Sequence, residues 1–223
     1  MTPQRTISWF TLLLSAVAGY CDTATFVAGN QTFSAHVTGN FIIFAAQAVL
    51  GKDPSAWIKL ITFPVFVFAV MTGGWLADRT GRRYSLLMTE GIILLIAGGI
   101  AFRPHPVPPG DILVVMLTVF GMGLQNAFGK LFSKETYGPT TMMTGNVTQA
   151  SLDLGRLLVK RFRTDNSIPE SIKKQLILIG GFLAGCFLGG VLSKLLGLES
   201  LLIPGIAVVA CYFTSKQATN DAP

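Results

Sequence analysis

Three windows of the sequence contain no charged residue and are each long enough to cross a lipid bilayer as a helix. They are residues 60–77, 112–129 and 175–193. A transmembrane helix needs about 20 mostly apolar residues, and a run of about 18 or more is its usual signature. With 51% hydrophobic and 13% charged residues, the chain could not give a water-soluble domain a polar surface. The sequence therefore predicts an all-α integral membrane protein in which residues 1–223 form one membrane domain.

Three weaker windows complete a predicted set of six spans. They are residues 9–27, 84–102 and 200–215. They are weaker because they contain Asp22, Glu90 and Pro204, respectively. The first apolar stretch has no cleavage-site pattern, so we expect a retained helix rather than a removed signal peptide.

Two parts of the chain resemble each other at nearly constant offsets. Thr38-Gly39-Asn40 recurs 106 positions later as Thr144-Gly145-Asn146, and Gly19-Tyr-Cys-Asp22 recurs 104 positions later as Gly123-Leu-Gln-Asn126. Residues 73–78 align with residues 189–194 at an offset of 116. Recurrence of this kind indicates an internal repeat. We therefore predict two pseudo-repeats, over residues 7–109 and 111–217.

Each half also contains one short segment that begins at Thr-Gly-Asn, and its path decides the topology. If both segments are re-entrant or interfacial, six spans place 13 of the 17 lysines and arginines in the cytoplasm, whereas eight spans place 11 there. Basic residues are enriched in cytoplasmic loops. We therefore expect six spans plus two short helices, with both termini cytoplasmic, and eight spans as the alternative. Six spans make the halves inverted, as in many transporters.

Asp22 is the first candidate for a functional residue. It lies near the middle of the first predicted span, where an ionised carboxylate costs at least about 2.5 to 3.5 kcal/mol and should face protein or a water-filled cavity. Its counterpart in the second half is Asn126, preceded by Gln125, so a carboxylate and an amide could share one solute or proton site. The alternative is that Asp22 only satisfies backbone groups freed by a break in its helix.

The two Thr-Gly-Asn segments are the second candidate site. Thr and Asn are strong N-cap residues, and Gly permits close approach of a helix or a ligand. A half-helix that begins there exposes unpaired N–H groups and a partial positive charge, which suit an anion or a carbonyl oxygen. The alternative is that the glycines serve helix packing while Thr and Asn bond across helices. The candidate residues are Thr38, Gly39, Asn40, Thr144, Gly145 and Asn146.

Three single residues extend the list of candidates. Gln149 belongs to a polar stripe on an amphipathic helix, which could line an aqueous path or lie at the cytoplasmic surface. His36 could relay protons, because the usual pKa of histidine is near neutrality, or it could be structural. Glu90 could face the bundle interior or pair with arginines at the start of its helix.

Two local patterns indicate how helices meet. Residues 74–83 resemble the cytoplasmic loop signature of the major facilitator superfamily, and the resemblance implies a breakable charge latch. The alternative is a positive-inside signal with a helix-ending glycine. A second pattern, three glycines four residues apart, predicts a packing stripe that could also serve a homodimer. The latch residues are Asp78, Arg79, Arg82 and Arg83, and the stripe consists of Gly181, Gly185 and Gly189.

Four segments resemble the YoaK-type bacterial membrane family, a domain of unknown function, and the resemblance covers nearly the whole chain. They are Gly19-Tyr-Cys-Asp22, His36-Val-Thr-Gly-Asn40, Gly121-Met-Gly-Leu-Gln-Asn126 and Thr144-Gly-Asn146. The resemblance implies a bacterial multi-pass inner-membrane protein and brings no substrate with it.

These patterns together predict a small secondary transporter or permease for a small polar or anionic solute, with proton coupling through Asp22. A passive channel and a non-transporting membrane scaffold or sensor are the alternatives. We expect no enzymatic activity, cofactor or metal, because no metal-ligand spacing, Ser/His/Asp set or cofactor fingerprint is present. The basic residues lie between apolar windows, so nucleic acid is not an expected partner. The expected partners are the lipid bilayer, the solute and a second copy in a homodimer.

Overall fold

The structure is a computed structural model that describes residues 3–51, 56–82, 84–102, 110–158 and 167–220. All regular structure within these ranges is helical, so the prediction of an all-α fold is confirmed. In chain order the elements are α1 (Pro3–Ala28), α2 (Gly39–Leu50), α3 (Ile58–Thr80), α4 (Ser85–Ala101), α5 (Gly110–Leu131), α6 (Met143–Leu158), α7 (Ser167–Leu196), a 3-10 helix (Gly197–Leu201) and α8 (Leu202–Asn220).

Four helical segments in the described ranges are long and apolar enough to cross a membrane. They are Thr6–Ala28, Ile58–Thr80, Asp111–Leu131 and Ser167–Thr214, the last of which runs from α7 through the 3-10 helix into α8. The outer surface carries large apolar side chains such as Phe187, which is 69% exposed, whereas Lys59 and Glu90 are buried. Apolar groups outside and ionisable groups inside suit lipid as the solvent.

The longest helix contact joins α1 to α7, which run in the same direction. Along this contact, Leu12 faces Gly181, Ala16 faces Gly185 and Tyr20 faces Gly189. A Cβ added at any of these glycines would collide with a carbonyl oxygen of α1, so the two backbones touch. The predicted packing stripe on α7 is thus confirmed. Because α1 of the same chain covers it, the stripe is not free to form a dimer.

α3 and α5 form a second parallel pair. Gly73 on α3 faces Ala127 on α5, and Ala69, one turn earlier on α3, faces Gly123 on α5. A Cβ at either glycine would lie 2.7 Å or 2.5 Å, respectively, from the facing alanine Cβ. Small side chains therefore set the distance between these helices, as they do in many membrane proteins.

α1 and α5, in contrast, run antiparallel. The Gln125 amide near the end of α5 donates to the Leu14 carbonyl oxygen in the middle of α1, whereas Val115 near the start of α5 meets Gly29 just beyond the end of α1. α5 is also in contact with α4 along its length. The two helices that begin the two predicted halves therefore point in opposite directions.

α4 and α8 are antiparallel as well. A Cβ at Gly91, early in α4, would meet Val209 in α8, and one at Gly98, late in α4, would meet Leu202 at the start of α8. Both contacts involve backbone N–H groups of α8, at 3.1 Å and 2.7 Å from the added atom. The last helices of the two predicted halves therefore pack backbone against backbone in opposite directions.

Candidate functional site

Asp22 holds the loop between α1 and α2 against α1. It is 3% exposed, and its Oδ1 accepts hydrogen bonds from the backbone N–H of Ala35 at 2.6 Å and of His36 at 3.2 Å. Its Oδ2 is hydrogen-bonded to Nδ1 of the His36 ring. α1 continues without a break to Ala28. The alternative interpretation of Asp22 as the cap of a broken helix is therefore wrong, because its partners belong to a loop.

His36 lies between the buried Asp22 carboxylate and the protein surface. Its side chain is 36% exposed, and its ring packs edge-on against Phe33 at 6.5 Å and against Phe182 of α7 at 5.5 Å between centroids. The hydrogen bond to Asp22 raises the pKa of His36, burial lowers it by a smaller amount, and the charge of Asp22 raises it further. The sequence did not indicate this pairing, since the two residues are 14 positions apart across a turn.

The raised pKa of His36 makes attachment of the loop dependent on pH. Protonated His36 stabilises the folded loop fully below the unfolded pKa near 6.5, and this contribution is lost as the pH rises through the folded pKa. We expect a cysteine at buried Ser34 to react with maleimide increasingly faster than one at exposed Thr38 as the pH rises. The ratio of the two rates cancels the reactivity of the thiol itself. A ratio that does not change with pH, or that rises as steeply with pH in H36Q, would contradict the dependence of loop attachment on His36.

The first Thr-Gly-Asn segment is hydrogen-bonded to the loop before it and to α3. Asn40 is buried, its Oδ1 accepts from the Phe33 N–H at 2.8 Å, and its Nδ2 donates to the Phe33 carbonyl oxygen at 2.8 Å and to Thr62 Oγ1 at 3.0 Å. A Cβ at Gly39 would lie 2.9 Å from the Phe33 ring. Both side-chain amide protons of Asn40 are thus used within the protein, and Gly39 is required by the packing of Phe33.

The start of α2 offers no free N–H groups of the kind expected for an anion site. The N–H groups of Gly39, Asn40 and Phe41 donate to the carbonyl oxygens three residues earlier, at 2.8 to 3.2 Å. Thr38 occupies the N-cap position, but its side chain makes no capping hydrogen bond. The prediction of an exposed anion-binding terminus is therefore wrong for α2, because a tight turn at residues 36–41 consumes these donors.

The second segment repeats part of this arrangement. Asn146 is buried and donates from Nδ2 to the carbonyl oxygen of Pro139 at 3.0 Å, seven residues earlier, just as Asn40 bonds to a residue seven earlier. Gly145 has open space where its Cβ would be, and Thr144 is exposed. The second glycine is therefore not required by packing, in contrast to Gly39.

Gln125, and not Asn126, bonds α5 to the loop that follows it, as Asp22 bonds α1 to the loop that follows α1. Its Nε2 donates at 2.8 Å to Thr140 Oγ1 in the loop after α5 and at 2.8 Å to the Leu14 carbonyl oxygen. Asn126 is half-buried and makes no side-chain hydrogen bond within the described residues. The loop contact is thus made one position before Asn126, the residue that the offset of 104 aligns with Asp22, and one position rotates the side chain by about 100° around the helix.

Gln149 is hydrogen-bonded to Asp153 on its own helix α6, and Asp153 in turn is hydrogen-bonded to α7. Its Nε2 donates to both carboxylate oxygens of Asp153 at 3.0 Å, and Ser171 of α7 donates to Asp153 at 2.6 Å. These hydrogen bonds, first that from Gln149 and then that from Ser171, lower the pKa of Asp153. Leu154 on the opposite face of α6 is 56% exposed. The polar stripe therefore attaches α6 to α7 and turns the apolar face outward.

Glu90 faces the bundle interior, which was one of its two expected positions. It is fully buried in α4, and neither carboxylate oxygen has a hydrogen-bond partner among the described residues. It therefore does not pair with the arginines near the start of its helix that the structure describes, Arg79 and Arg82.

The charge latch implied by the loop resemblance is not formed among the described residues. Asp78 is exposed and has no ion pair there, and Arg79 lies over the ring of Trp75 on its own helix, 5.2 Å from the ring centroid. Arg82 is exposed, and Arg83 lies outside the described residues. Gly81 ends α3 in a left-handed conformation with φ of 60°, which confirms the alternative prediction of a helix-ending glycine.

Lys59 is buried, which was not predicted from the sequence. The side chain is 1% exposed, and its Nζ donates to the Asn30 carbonyl oxygen at 2.8 Å. A cavity of about 370 Å³ lies close by, between the loop after α1 and the start of α5, with Asn30, Thr32 and Asp111 among its lining residues. None of the predicted binding residues lines this cavity. The available signal for this burial was the position of Lys59 directly before the uncharged window of residues 60–77.

Comparison with known proteins gives one match. A family model described as "Protein of unknown function (DUF1275)" matches residues 10–214. No curated protein and no solved structure matches the chain. The matched range includes Asp22, His36, Glu90 and both Thr-Gly-Asn segments.

Proposed function

Because the chain belongs to the DUF1275 family, a family of unknown function, we propose its activity from its own geometry: it is a proton-coupled permease for a small polar or anionic solute. We place it in a bacterial inner membrane with both termini in the cytoplasm, as the YoaK-type resemblance implies. The proposal has two parts, a topology and a proton site.

The proposed topology has six spans, with α2 and α6 as the short helices that do not cross. α2 has 12 residues and is about 18 Å long, less than the roughly 30 Å of the hydrocarbon core. With six spans, three crossings precede α5, so α5 enters from the side opposite to α1. Eight spans would make α1 parallel to α5 and α4 parallel to α8. The antiparallel contacts of both pairs support six.

The proposed halves are inverted repeats over residues 7–109 and 111–217. The offset of 104 maps Gly19 onto Gly123, and the offset of 116 maps Phe66 onto Phe182. A Cβ at Gly19 would collide with the Phe182 carbonyl oxygen, and a Cβ at Gly123 would lie 3.2 Å from the Phe66 carbonyl oxygen. The same offsets map the contact of Gly189 with Tyr20 onto Gly73 with Leu124, but the first meets backbone and the second meets a side-chain methyl group at 3.5 Å. The contact of both Gly19 and Gly123 with a phenylalanine carbonyl oxygen supports a two-fold relation between the halves.

The observation that carries the functional proposal is the buried Asp22 carboxylate joined to half-exposed His36. Histidine exchanges protons near neutral pH, so His36, held by its hydrogen bond to Asp22, can take up and release a proton there. When the hydrogen bond between Asp22 and His36 breaks, the loop after α1 is freed from α1. The His36 ring also touches Phe182 of the other half. Protonation in one half thereby alters a contact with the other, which is what a rocking carrier requires.

Close packing between the halves favours a carrier over an open channel. α1 meets α7 and α3 meets α5 at distances that leave no room for a Cβ, so no pore passes along either contact. A carrier with tightly closed contacts opens by rearranging them, whereas a channel keeps a continuous aqueous path.

Transport by reconstituted protein tests this proposal. We expect liposomes with an imposed pH gradient to accumulate one member of a panel of labelled amino acids, carboxylates and sugars, and a protonophore to abolish the accumulation. D22N should reduce it to the level of protein-free liposomes, because a neutral amide no longer stabilises protonated His36. D78N, which changes an exposed aspartate that has no ion pair within the described part of the chain, is the matched control and should transport normally. Accumulation that survives D22N or the protonophore would overturn the proposal.

A further inference from the structure

We propose that Glu90 is a second proton-binding site, which holds its proton while the halves are packed together and exchanges it with water when α4 and α8 separate. Its part in coupling rests on the permease activity proposed above, whereas its occupancy by a proton does not. The inference is carried by the position of the carboxyl group and by its lack of partners.

The carboxyl group lies buried in the bundle, between the two proposed halves. Glu90 belongs to α4, and its Cγ would be 3.8 Å from a Cβ at Gly121, the middle of α5. Its electrostatic neighbours include Cys211, the middle residue of α8. Since α5 and α8 belong to the proposed second half, Glu90 faces that half from α4, five residues after the start of its own helix at Ser85.

Nothing in the described residues compensates a negative charge at this position. Both carboxylate oxygens lack a hydrogen-bond partner, and the side chain is 0% exposed. The titratable groups that face it are the thiols of Cys21 on α1 and Cys211 on α8, while α5 faces it with Gly121. An unpaired carboxylate in such surroundings is strongly disfavoured relative to the neutral acid. The closed arrangement therefore selects the protonated form.

The packing beside Glu90 links proton exchange to movement of the halves. The next residue, Gly91, lies so close to α8 that a Cβ would be 3.1 Å from the Val209 backbone N–H, and Gly205 on α8 meets Leu95 of α4 in the same way. Water reaches the carboxyl group only when these two backbones separate. The O–H bond of the acid then breaks, the proton passes to water and the carboxylate remains, and closure requires a proton to return.

Infrared spectroscopy of the purified protein tests occupancy by a proton without any knowledge of the solute. We expect the wild type at neutral pH to show the C=O stretch of a protonated carboxylic acid that is absent from E90Q. E170Q, which changes an exposed glutamate paired with Lys174, is the matched control and should keep the band. If E90Q does not fold, E90M serves instead, because an apolar side chain of similar volume suits this site. A wild-type spectrum that matches the variant overturns the inference.

Two further measurements separate this inference from the permease proposal. In liposomes, E90Q should lose accumulation driven by the pH gradient but retain exchange of labelled for unlabelled solute, since exchange needs no net proton movement. If no solute moves in any variant but the band is lost in E90Q, the permease proposal fails and the proton site stands. If sodium raises the melting temperature of the wild type and not of E90Q, Glu90 binds a metal cation and the proton assignment is overturned.

Discussion

Replacing Gly185 by alanine is expected to lower the stability of the protein by about 3 kcal/mol, the upper end of what overpacking usually costs. The added Cβ would lie closer to the Ala16 carbonyl oxygen than real Cβ atoms approach such a group, and this neighbour is backbone that cannot rotate away. α1 and α7 must therefore move apart along their longest contact. The change is measured as a fall in melting temperature in detergent, together with loss of the monodisperse peak in gel filtration.

Gly180 provides a matched control for this substitution on the same helix. It has nothing within 4 Å of its Cβ position, so G180A adds a methyl group without a collision. Alanine is also favoured over glycine inside a helix by about 1 kcal/mol. G180A should therefore melt at the wild-type temperature or slightly above it. Equal melting temperatures for G185A and G180A would show that the backbones of α1 and α7 do not touch.

Replacing Asp22 by alanine is expected to cost about 3 to 5 kcal/mol and to detach the loop between α1 and α2. The loss leaves the N–H groups of Ala35 and His36 and the His36 ring without their acceptor, in a place where little water can replace it. The loss of stability is measured by thermal unfolding, and detachment by faster maleimide labelling of a cysteine at Ser34. D22A with wild-type stability would show that these bonds contribute nothing.

Asparagine at position 22 separates the structural role of Asp22 from its proton role. In D22N the remaining oxygen can still accept from the two backbone N–H groups, and the amide can donate to the other tautomer of His36. D22N should thus be markedly more stable than D22A while losing coupled transport. If the two variants are equally unstable, absence of transport in D22N would reflect misfolding, and a neutral variant of His36 would have to decide the question.

The solvent and the helices of this protein could be read directly from its sequence. Uncharged runs such as residues 112–129 predict membrane-crossing helices because the preference for lipid depends on the residues themselves and not on their neighbours. Helix ends were predictable where one residue determines the backbone, as Gly81 does at the end of α3. The glycine stripe on α7 was predictable as a packing surface, since its spacing of four keeps it on one face.

The partners of the polar groups could not be read in the same way. Asp22 accepts three hydrogen bonds, whereas Glu90 has no partner among the described residues, and the sequence does not show this difference. Sequence position matched Asp22 to Asn126, although Gln125 makes the corresponding bonds to its own loop. The N–H groups at the start of α2 were expected to be free, but a tight turn uses them as hydrogen-bond donors. A shift of one residue or the path of one loop changes each of these outcomes.

Sequence alone determined that the chain is helical, that it is suited to lipid and which side chains would be costly to bury, because these properties are local and add along the chain. Only the tertiary structure decided that α1 lies parallel to α7 and antiparallel to α5, and which carboxyl group received hydrogen bonds. Such outcomes depend on segments far apart in sequence that approach within a few ångströms, and hydrogen bonds are too short in range to be inferred before that approach is known.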